Sequence, residues 1–417
     1  MEYGCIGEKL SHSFSKIIHA RLADYNYELC EIPLKGLDGF MKKADFKAIN
    51  VTIPYKQAVI PYLYYISDTA KKIGAVNTIV NKNGKLYGYN TDFSGLHALL
   101  VRQRADLKGG RVLILGSGGT SKTAAAVAED LGAKEIYRVS RSGSDGAITY
   151  DEAYKKHGDA TAIINTTPCG MYPNIGTSAI DLSRFENVKS VTDAVYNPLS
   201  SALVISARER GINATGGLYM LVSQAAYAVE KFTGGSISAD KTEEVYREIL
   251  RDKKNIVLIG MPGCGKTTLG KISADRLHKE FIDTDAEIIK RINMPISEYF
   301  AKHGEESFRK LESEVIKEIS ACRSSVIATG GGAVLNPTNI SLLKENGTVI
   351  FIDRPLEKLV TTADRPLSSS RELLEKRYKE RYGLYCAAAD IKIDAVNEIE
   401  QNVKNIEEVF LNENSCN

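Results

Sequence analysis

A chain of 417 residues exceeds the size at which a single hydrophobic core keeps growing, so two or three domains are expected. Its 43% hydrophobic and 25% charged residues are those of an ordinary globular protein and exclude wholesale disorder. The 54 basic and 52 acidic side chains leave a net charge of +2, no footprint for nucleic acid or a membrane surface, though local basic pockets stay compatible with it. Seven cysteines without a C-x-x-C pair fit reduced thiols in a cytoplasmic protein better than a disulfide framework or a zinc site. The opening residues lack the basic and apolar segments of a signal peptide, and no apolar run approaches the ~18 residues that span a bilayer.

In chain order, the first features are polar clusters suited to a small polyol acid. Ser13 and Ser15 alternate, so on an extended segment their hydroxyls share one face. Thr52 and Lys56 follow in Asn50-Val51-Thr52-Ile53-Pro54-Tyr55-Lys56, Asn77 in Gly74-Ala75-Val76-Asn77-Thr78, and Asp92 in Asn90-Thr91-Asp92-Phe93-Ser94-Gly95. Each of these, alone, also reads as a turn or helix cap, where such residues are favoured.

Two strand–glycine–helix units come next. Arg111–Leu115 is a short apolar run of the kind buried in parallel sheets, and Gly116-Ser117-Gly118-Gly119 then turns into an alanine-rich helix ending near Leu131-Gly132. Such a turn aims backbone N–H groups and a helix dipole at one point, an anion site. The next strand, Glu135–Val139, runs into Ser140-Arg141-Ser142. An acid there would hold a ribose 2′-hydroxyl; an arginine between hydroxyls suits a 2′-phosphate, hence NADP(H), unless Arg141 is only a solvated loop residue. The charged stretch Glu243 to Lys254 is the expected boundary. Beyond it, Asn255–Ile259 leads into Gly260-Met261-Pro262-Gly263-Cys264-Gly265-Lys266-Thr267, which satisfies G-x-x-x-x-G-K-[ST] between a strand and a helix. Its N–H groups, including those of Gly263, Cys264, Gly265 and Thr268, would cradle the phosphates of ATP. Lys266 would reach the β/γ oxygens and the Thr267 hydroxyl would hold Mg²⁺. Asp283-Thr284-Asp285 is expected at a strand end with both carboxylates on one side, one for metal-bound water and one for an attacking hydroxyl; a surface turn is the alternative. Apolar strands alternate with amphipathic helices along the whole chain, an α/β pattern.

These motifs, together with Ser11-His12-Ser13-Phe14-Ser15, Asn165-Thr166-Thr167-Pro168-Cys169-Gly170-Met171, Asp193 through Pro198 and Gly216 through Ala225, make the first part of the chain resemble shikimate dehydrogenases. The last part resembles shikimate kinases, through Phe281 to Asp285, Gly304 to Glu312, Thr329 to Gly332, Asp364-Arg365-Pro366-Leu367 and Glu380 to Tyr385. The resemblance implies a dehydrogenase over residues 1–248, with an α/β substrate lobe (about 1–95 plus 217–248) and a Rossmann NADP lobe (about 96–216). A P-loop, nucleoside-monophosphate-kinase-like domain would occupy residues 254–417. By the same resemblance Lys56 and Asp92 form the catalytic pair that reduces 3-dehydroshikimate with NADPH, while Ser13, Ser15, Thr52, Asn77, Tyr196 and Gln224 surround the substrate. Gly116, Gly118, Gly119, Ser140, Arg141, Ser142 and Gly217 face the dinucleotide. In the kinase half, Asp285, Arg309, Gly331, Gly332 and Arg381 hold shikimate, with the two arginines on its carboxylate. Asp283 joins Thr267 at the metal, and Arg365 approaches the transferring phosphate. The segment before Arg365 is shorter than the family's lid and lacks its adenine-stacking arginine. A quinate-using reductase and a catalytically silent sugar-acid sensor are the competing readings, and the sequence leaves the oligomeric state open.

Overall fold

The computed structural model describes residues 1–10, 14–359, 371–395 and 398–416, so Ser13 and Arg365 lie outside the described residues. The chain divides into two compact units. One comprises Met1–Met171, Ser178–Asn197 and Ser206–Ile249, and the other Tyr172–Thr177, Pro198–Ile205 and Leu250–Asn417.

The first unit carries two sheets. Strands β1 (Tyr3–Gly7), β2 (Tyr27–Glu31), β3 (Ala48–Val51), β4 (Tyr65–Ile66), β5 (Thr78–Lys82) and β6 (Lys85–Tyr89) form a mixed sheet in the order β2-β1-β3-β5-β6-β4. β1 pairs parallel with β2 and β3, whereas β5 runs antiparallel to β3 and β6. The second sheet, β7 (Arg111–Leu115), β8 (Glu135–Val139), β9 (Ala162–Asn165), β10 (Ser190–Asp193) and β11 (Asn213–Thr215), is wholly parallel with order β11-β10-β9-β7-β8. Helices cover its faces, which is why Val112 through Leu115 are fully buried and the strand reads as an unbroken apolar run. The order reverses between β7 and β9, and a crevice at such a reversal is where doubly wound sheets bind ligands.

Two helices tie the sheets together. The helix Thr91–Gln103 sends Leu96, Leu99 and Leu100 into the core of the second sheet, beside Val112 and Ile114. The helix Leu218–Thr233 packs Ala228 and Phe232 against Ala48 and Val80 of the first. The helices touch at Gly95, where a Cβ would stand 2.7 Å from the Met220 carbonyl oxygen and 2.8 Å from Gln224 Cβ. Only glycine permits that approach.

In the second unit β12 (Asn255–Ile259), β13 (Glu280–Asp283), β14 (Ser325–Ala328), β15 (Gly347–Asp353) and β16 (Ile391–Asp394) form a parallel sheet in the order β13-β14-β12-β15-β16. β12, β14 and β15 are buried along their whole length. No helix among the described residues is long and apolar enough to cross a membrane.

Two local expectations are corrected. Ser15 does not lie on an extended segment: Phe14 is already in the right-handed helical region and Ser15 opens the helix Ser15–Leu22. Asp283 and Asp285 do not share a strand either. Asp283 ends β13 and Asp285 lies in the first turn of the helix Thr284–Ile292, for which Asp283 is the N-cap.

The contact at Gly95 makes a prediction. Gly95→Ala should cost the first unit about 1–3 kcal/mol, the usual penalty of overpacking, so the first unit should unfold at lower urea while the second follows the wild-type curve, as hydrogen exchange of each unit would show. Superimposable curves for the first unit would show that the helices adjust without cost.

Candidate active sites

The substrate-lobe site is assembled by loops pinned to the first sheet. The Val51 N–H donates to the Asn77 carbonyl (2.8 Å) and the Val76 N–H to the Lys56 carbonyl (2.8 Å), which locks the Thr52–Lys56 loop to the Gly74–Asn77 loop. Lys56 Nζ then lies 2.5 Å from Asp92 Oδ2, both side chains mostly shielded. Asp92 sits in the first turn of its helix, where the dipole favours a carboxylate. Asn77 is 3% exposed, and its Oδ1 accepts from the Thr91 N–H (2.7 Å) and from the Thr78 hydroxyl (3.1 Å). Its Nδ2 has no partner among the described residues. The cap reading of Asn77 is thus right for one end of the amide, while the other end stays available to a ligand.

Gln224 faces the Asp92 helix across the Gly95 contact and donates through Nε2 to the Leu221 carbonyl (3.0 Å). The ring of Tyr196 lies 5.5 Å from that of Phe14, which brings Tyr196 beside Ser15. Thr52 packs its methyl group near Gly7. Behind these side chains lies a second layer whose role the sequence does not reveal. The Tyr27 hydroxyl donates to Asn50 Oδ1 (2.7 Å), and Asn50 Nδ2 donates to the Thr78 hydroxyl (3.2 Å), fixing the strand that carries Asn77. Asn50 and Thr78 stand inside the motifs, but only their burial separates support from contact.

At the switch point, Gly116 has φ +121° and a Cβ there would stand 2.6 Å from the Thr166 hydroxyl, so the turn needs glycine. Gly118 caps the helix Gly119–Asp130, and Cβ atoms on Gly118 or Gly119 would point into open space. The N–H groups of Ser117, Gly118, Gly119 and Thr120 have no acceptor among the described residues, as the start of a helix dictates. This cradle fits a dinucleotide pyrophosphate. Beyond β8, the buried Ser140 Oγ accepts from the Gly143 N–H (3.1 Å) and the Ser142 and Ser144 hydroxyls pair at 2.7 Å. Arg141 is exposed and makes no hydrogen bond or ion pair among the described residues, which fits a guanidinium awaiting a 2′-phosphate. Gly217 lies against the Ala194 carbonyl, the near approach that brings the Leu218–Thr233 helix to the end of β10.

The second unit contains a cleft of ≈ 1160 Å³ that reaches from the P-loop to the helix Arg371–Ala388. Gly263, Gly265, Lys266, Thr267 and Thr268 line one end, and Asp285, Arg309, Gly331, Gly332 and Arg381 the other, with Asp283 also on the wall. Thr267 Oγ1 donates to Asp283 Oδ2 (2.8 Å), and the other oxygen, Oδ1, accepts from the Asp285 N–H (3.0 Å). No group of three or more His, Cys, Asp or Glu placed to hold a metal ion occurs among the described residues. The described residues offer Mg²⁺ the Thr267 hydroxyl and the Asp283 carboxylate, a set that fits a cation completed by nucleotide oxygens and water.

Arg309 reaches Glu312 Oε2 through Nη1 (2.7 Å) and Glu305 Oε1 through Nη2 (3.0 Å), leaving one N–H on each Nη. Burial pushes the Glu312 carboxyl up against the pull of Arg309. Arg381 is 5% exposed, and its Nη1 donates to the Gly331 carbonyl (3.0 Å), which also accepts from the Tyr385 hydroxyl (2.6 Å). Sequence reasoning gave no role to Glu312 or to Arg377, another residue lining the cleft; their spacings of three and four from Arg309 and Arg381 were the available signal.

The P-loop turns at Gly260, Gly263 and Gly265, all with positive φ, and the helix starts at Lys266. Lys266 Nζ folds back on the carbonyls of Gly260 (2.8 Å) and Met261 (3.0 Å). Cys264 departs from its expected part, because its N–H already donates to the Met261 carbonyl (3.2 Å) instead of standing open. Its side chain is 1% exposed and fills the loop, so the helix-start field does not make it an accessible thiol. Cys386 is exposed. Brief iodoacetamide treatment should therefore modify Cys386 well before Cys264 by mass spectrometry; the reverse order would contradict this placement.

Comparison with known proteins gives these sites a lineage. The "Shikimate dehydrogenase substrate binding domain" family model matches residues 5–79, and the "Shikimate kinase" model matches residues 262–410. A shikimate dehydrogenase (NADP(+)) of Clostridium perfringens is 37% identical over 271 residues, covering 59% of this chain and 97% of that protein. A chorismate mutase/shikimate 5-dehydrogenase fusion protein from Clostridium acetobutylicum aligns with TM-score 0.56 at 39% identity, over 59% of this chain and 96% of that one. Shikimate 5-dehydrogenase from Thermus thermophilus, solved with NADP(H) and shikimate, aligns with TM-score 0.54 at 28% identity over 60% of this chain and 99% of that one. The chain belongs to the shikimate dehydrogenase family and carries a shikimate kinase domain after it.

Proposed function

We propose that the first unit reduces 3-dehydroshikimate to shikimate and the second phosphorylates shikimate to shikimate 3-phosphate, in an enzyme of aromatic precursor biosynthesis. The observation that carries this reading is that each unit has its own strand–glycine–helix anion site and its own polar constellation: the Lys56–Asp92 pair in one, and Asp285 with two arginines in the other.

In the reductase, bound NADPH supplies the reducing equivalent for the ketone. Lys56 Nζ gives the proton that the developing alkoxide requires, and Asp92 keeps the ammonium aimed. Asn77 Nδ2, Thr52, Ser15, Gln224 and Tyr196 orient the ring hydroxyls and carboxylate; the family's Ser13 would join them. Arg141 and Ser142 hold the 2′-phosphate, with Gly118, Gly119 and Gly217 allowing close backbone approach.

In the kinase, bound Mg·ATP supplies the phosphoryl group. Thr267 and Asp283 would hold the cation, and the N–H groups from Gly263 to Thr268 other than that of Cys264 hold phosphate oxygens. Lys266 exchanges its two carbonyl acceptors for phosphate, a stronger charge-assisted bond. Asp285 accepts the hydrogen bond of the attacking hydroxyl, and Arg309 and Arg381 take the acceptor carboxylate with the fork geometry that lysine lacks. Arg365 would serve the transferring phosphate.

Two measurements check these assignments. Lys56→Ala should abolish dehydroshikimate reduction and leave phosphorylation of added shikimate at the normal rate, and Asp285→Ala should do the reverse. Loss of both activities from either folded variant would contradict the division. Arg141→Ala should raise the KM for NADPH about ten- to a hundredfold, the worth of a charged hydrogen bond, with little change for NADH. Equal losses for both would remove Arg141 from the 2′-phosphate site.

A further inference from the structure

Among the described residues three arginines line the kinase cleft, and they are not equivalent. Arg309 is paired with Glu312 and Glu305, and Arg381 is tied to the Gly331 carbonyl. Arg377, one helical turn before Arg381 on the helix Arg371–Ala388, also lines the cleft. Its guanidinium makes no hydrogen bond or ion pair among the described residues, and its Nε is buried without a partner. The charges that act on it most strongly are those of Arg381, Glu305, Glu380 and Arg309. Arg377 therefore belongs to the acceptor end of the cleft. Burial and the two arginine charges lower its pKa, the mark of a cation short of a counter-ion.

We propose that Arg377 is a third carboxylate-binding arginine of the acceptor site and sets the enzyme's preference for an anionic acceptor. A buried donor without an acceptor is costly, and an arriving carboxylate is the group that relieves it. Because the charge of Arg309 is already matched by two glutamates and Arg381 is tied to a neutral carbonyl, the uncompensated positive charge that a carboxylate meets is that of Arg377 and Arg381, and Arg377 is the one of the two whose Nε is buried without a partner among the described residues. This rests on the reading that the second unit phosphorylates a carboxylated polyol.

The test is steady-state kinase kinetics on the full chain with shikimate and with its methyl ester. Arg377→Met, which keeps an unbranched apolar stem and removes the charge, should raise the KM for shikimate about ten- to a hundredfold. Its kcat and its KM for ATP should stay within about twofold, as expected when uniform binding is lost. The wild-type preference for shikimate over the ester should shrink by the same factor, and Arg377→Lys should fall between. A structural role for Arg377 would not move that preference. An unchanged KM for shikimate, or a change confined to kcat or to the KM for ATP, overturns the proposal while leaving the kinase reading intact. Failure of the wild-type chain to phosphorylate shikimate overturns both.

Discussion

A helix that begins directly after a parallel strand leaves its first N–H groups without intrahelical acceptors, and burying them unpaired is costly. This chain meets that constraint twice with one device. At Gly116–Thr120 and at Gly263–Thr268 the backbone turns through glycines with positive φ, and its open N–H groups converge on a point that an anion can fill. Both turns sit at the carboxyl ends of central parallel strands, β7 and β12, where doubly wound sheets open. The surrounding chemistry is arranged around these two points, and what differs is what each unit places opposite its anion site.

In the first unit the opposing group is a lysine–carboxylate pair held by two pinned loops and one tight helix crossing. Asp92 and Gln224 lie on different helices and depend on Gly95 for their relation. In the second unit it is an acidic residue beside arginines on two further helices, those containing Arg309 and Arg381. A proton donor suits carbonyl reduction; a hydrogen-bond acceptor for a hydroxyl, with cations for a carboxylate, suits phosphoryl transfer. The same acid can serve as product of one and acceptor of the other, which is the chemical sense of carrying both on one chain.

Much of this was legible in the residues because it is encoded locally. Arg111–Leu115 and Asn255–Ile259 are short apolar runs and are strands, and the glycine turns announce themselves by composition. What was not legible depends on tertiary direction. Ser15 reads as extended by alternation, yet helix formation from Phe14 onward prevails. Asp283 and Asp285 read as one strand face, yet the first caps the helix that holds the second. Cys264 reads as one of the N–H donors that cradle phosphate, yet its N–H turns to the Met261 carbonyl and its side chain is sealed inside the loop. Glu312 and Arg377 look like ordinary charges on amphipathic helices. Only the packing of those helices around the cleft shows that one is buried against Arg309 and that the other has a buried Nε without a partner among the described residues.

The central claim is that one chain carries out two consecutive reactions through two separate sites. It is tested most directly by supplying the purified protein with 3-dehydroshikimate, NADPH and Mg·ATP and following NADPH oxidation, ADP release and products together. The account predicts shikimate 3-phosphate as the end product, with one ADP formed per NADPH oxidised and no ADP formed when NADPH is withheld. NADPH oxidation that stops at shikimate with no ADP, or ADP release that does not depend on NADPH, would contradict it.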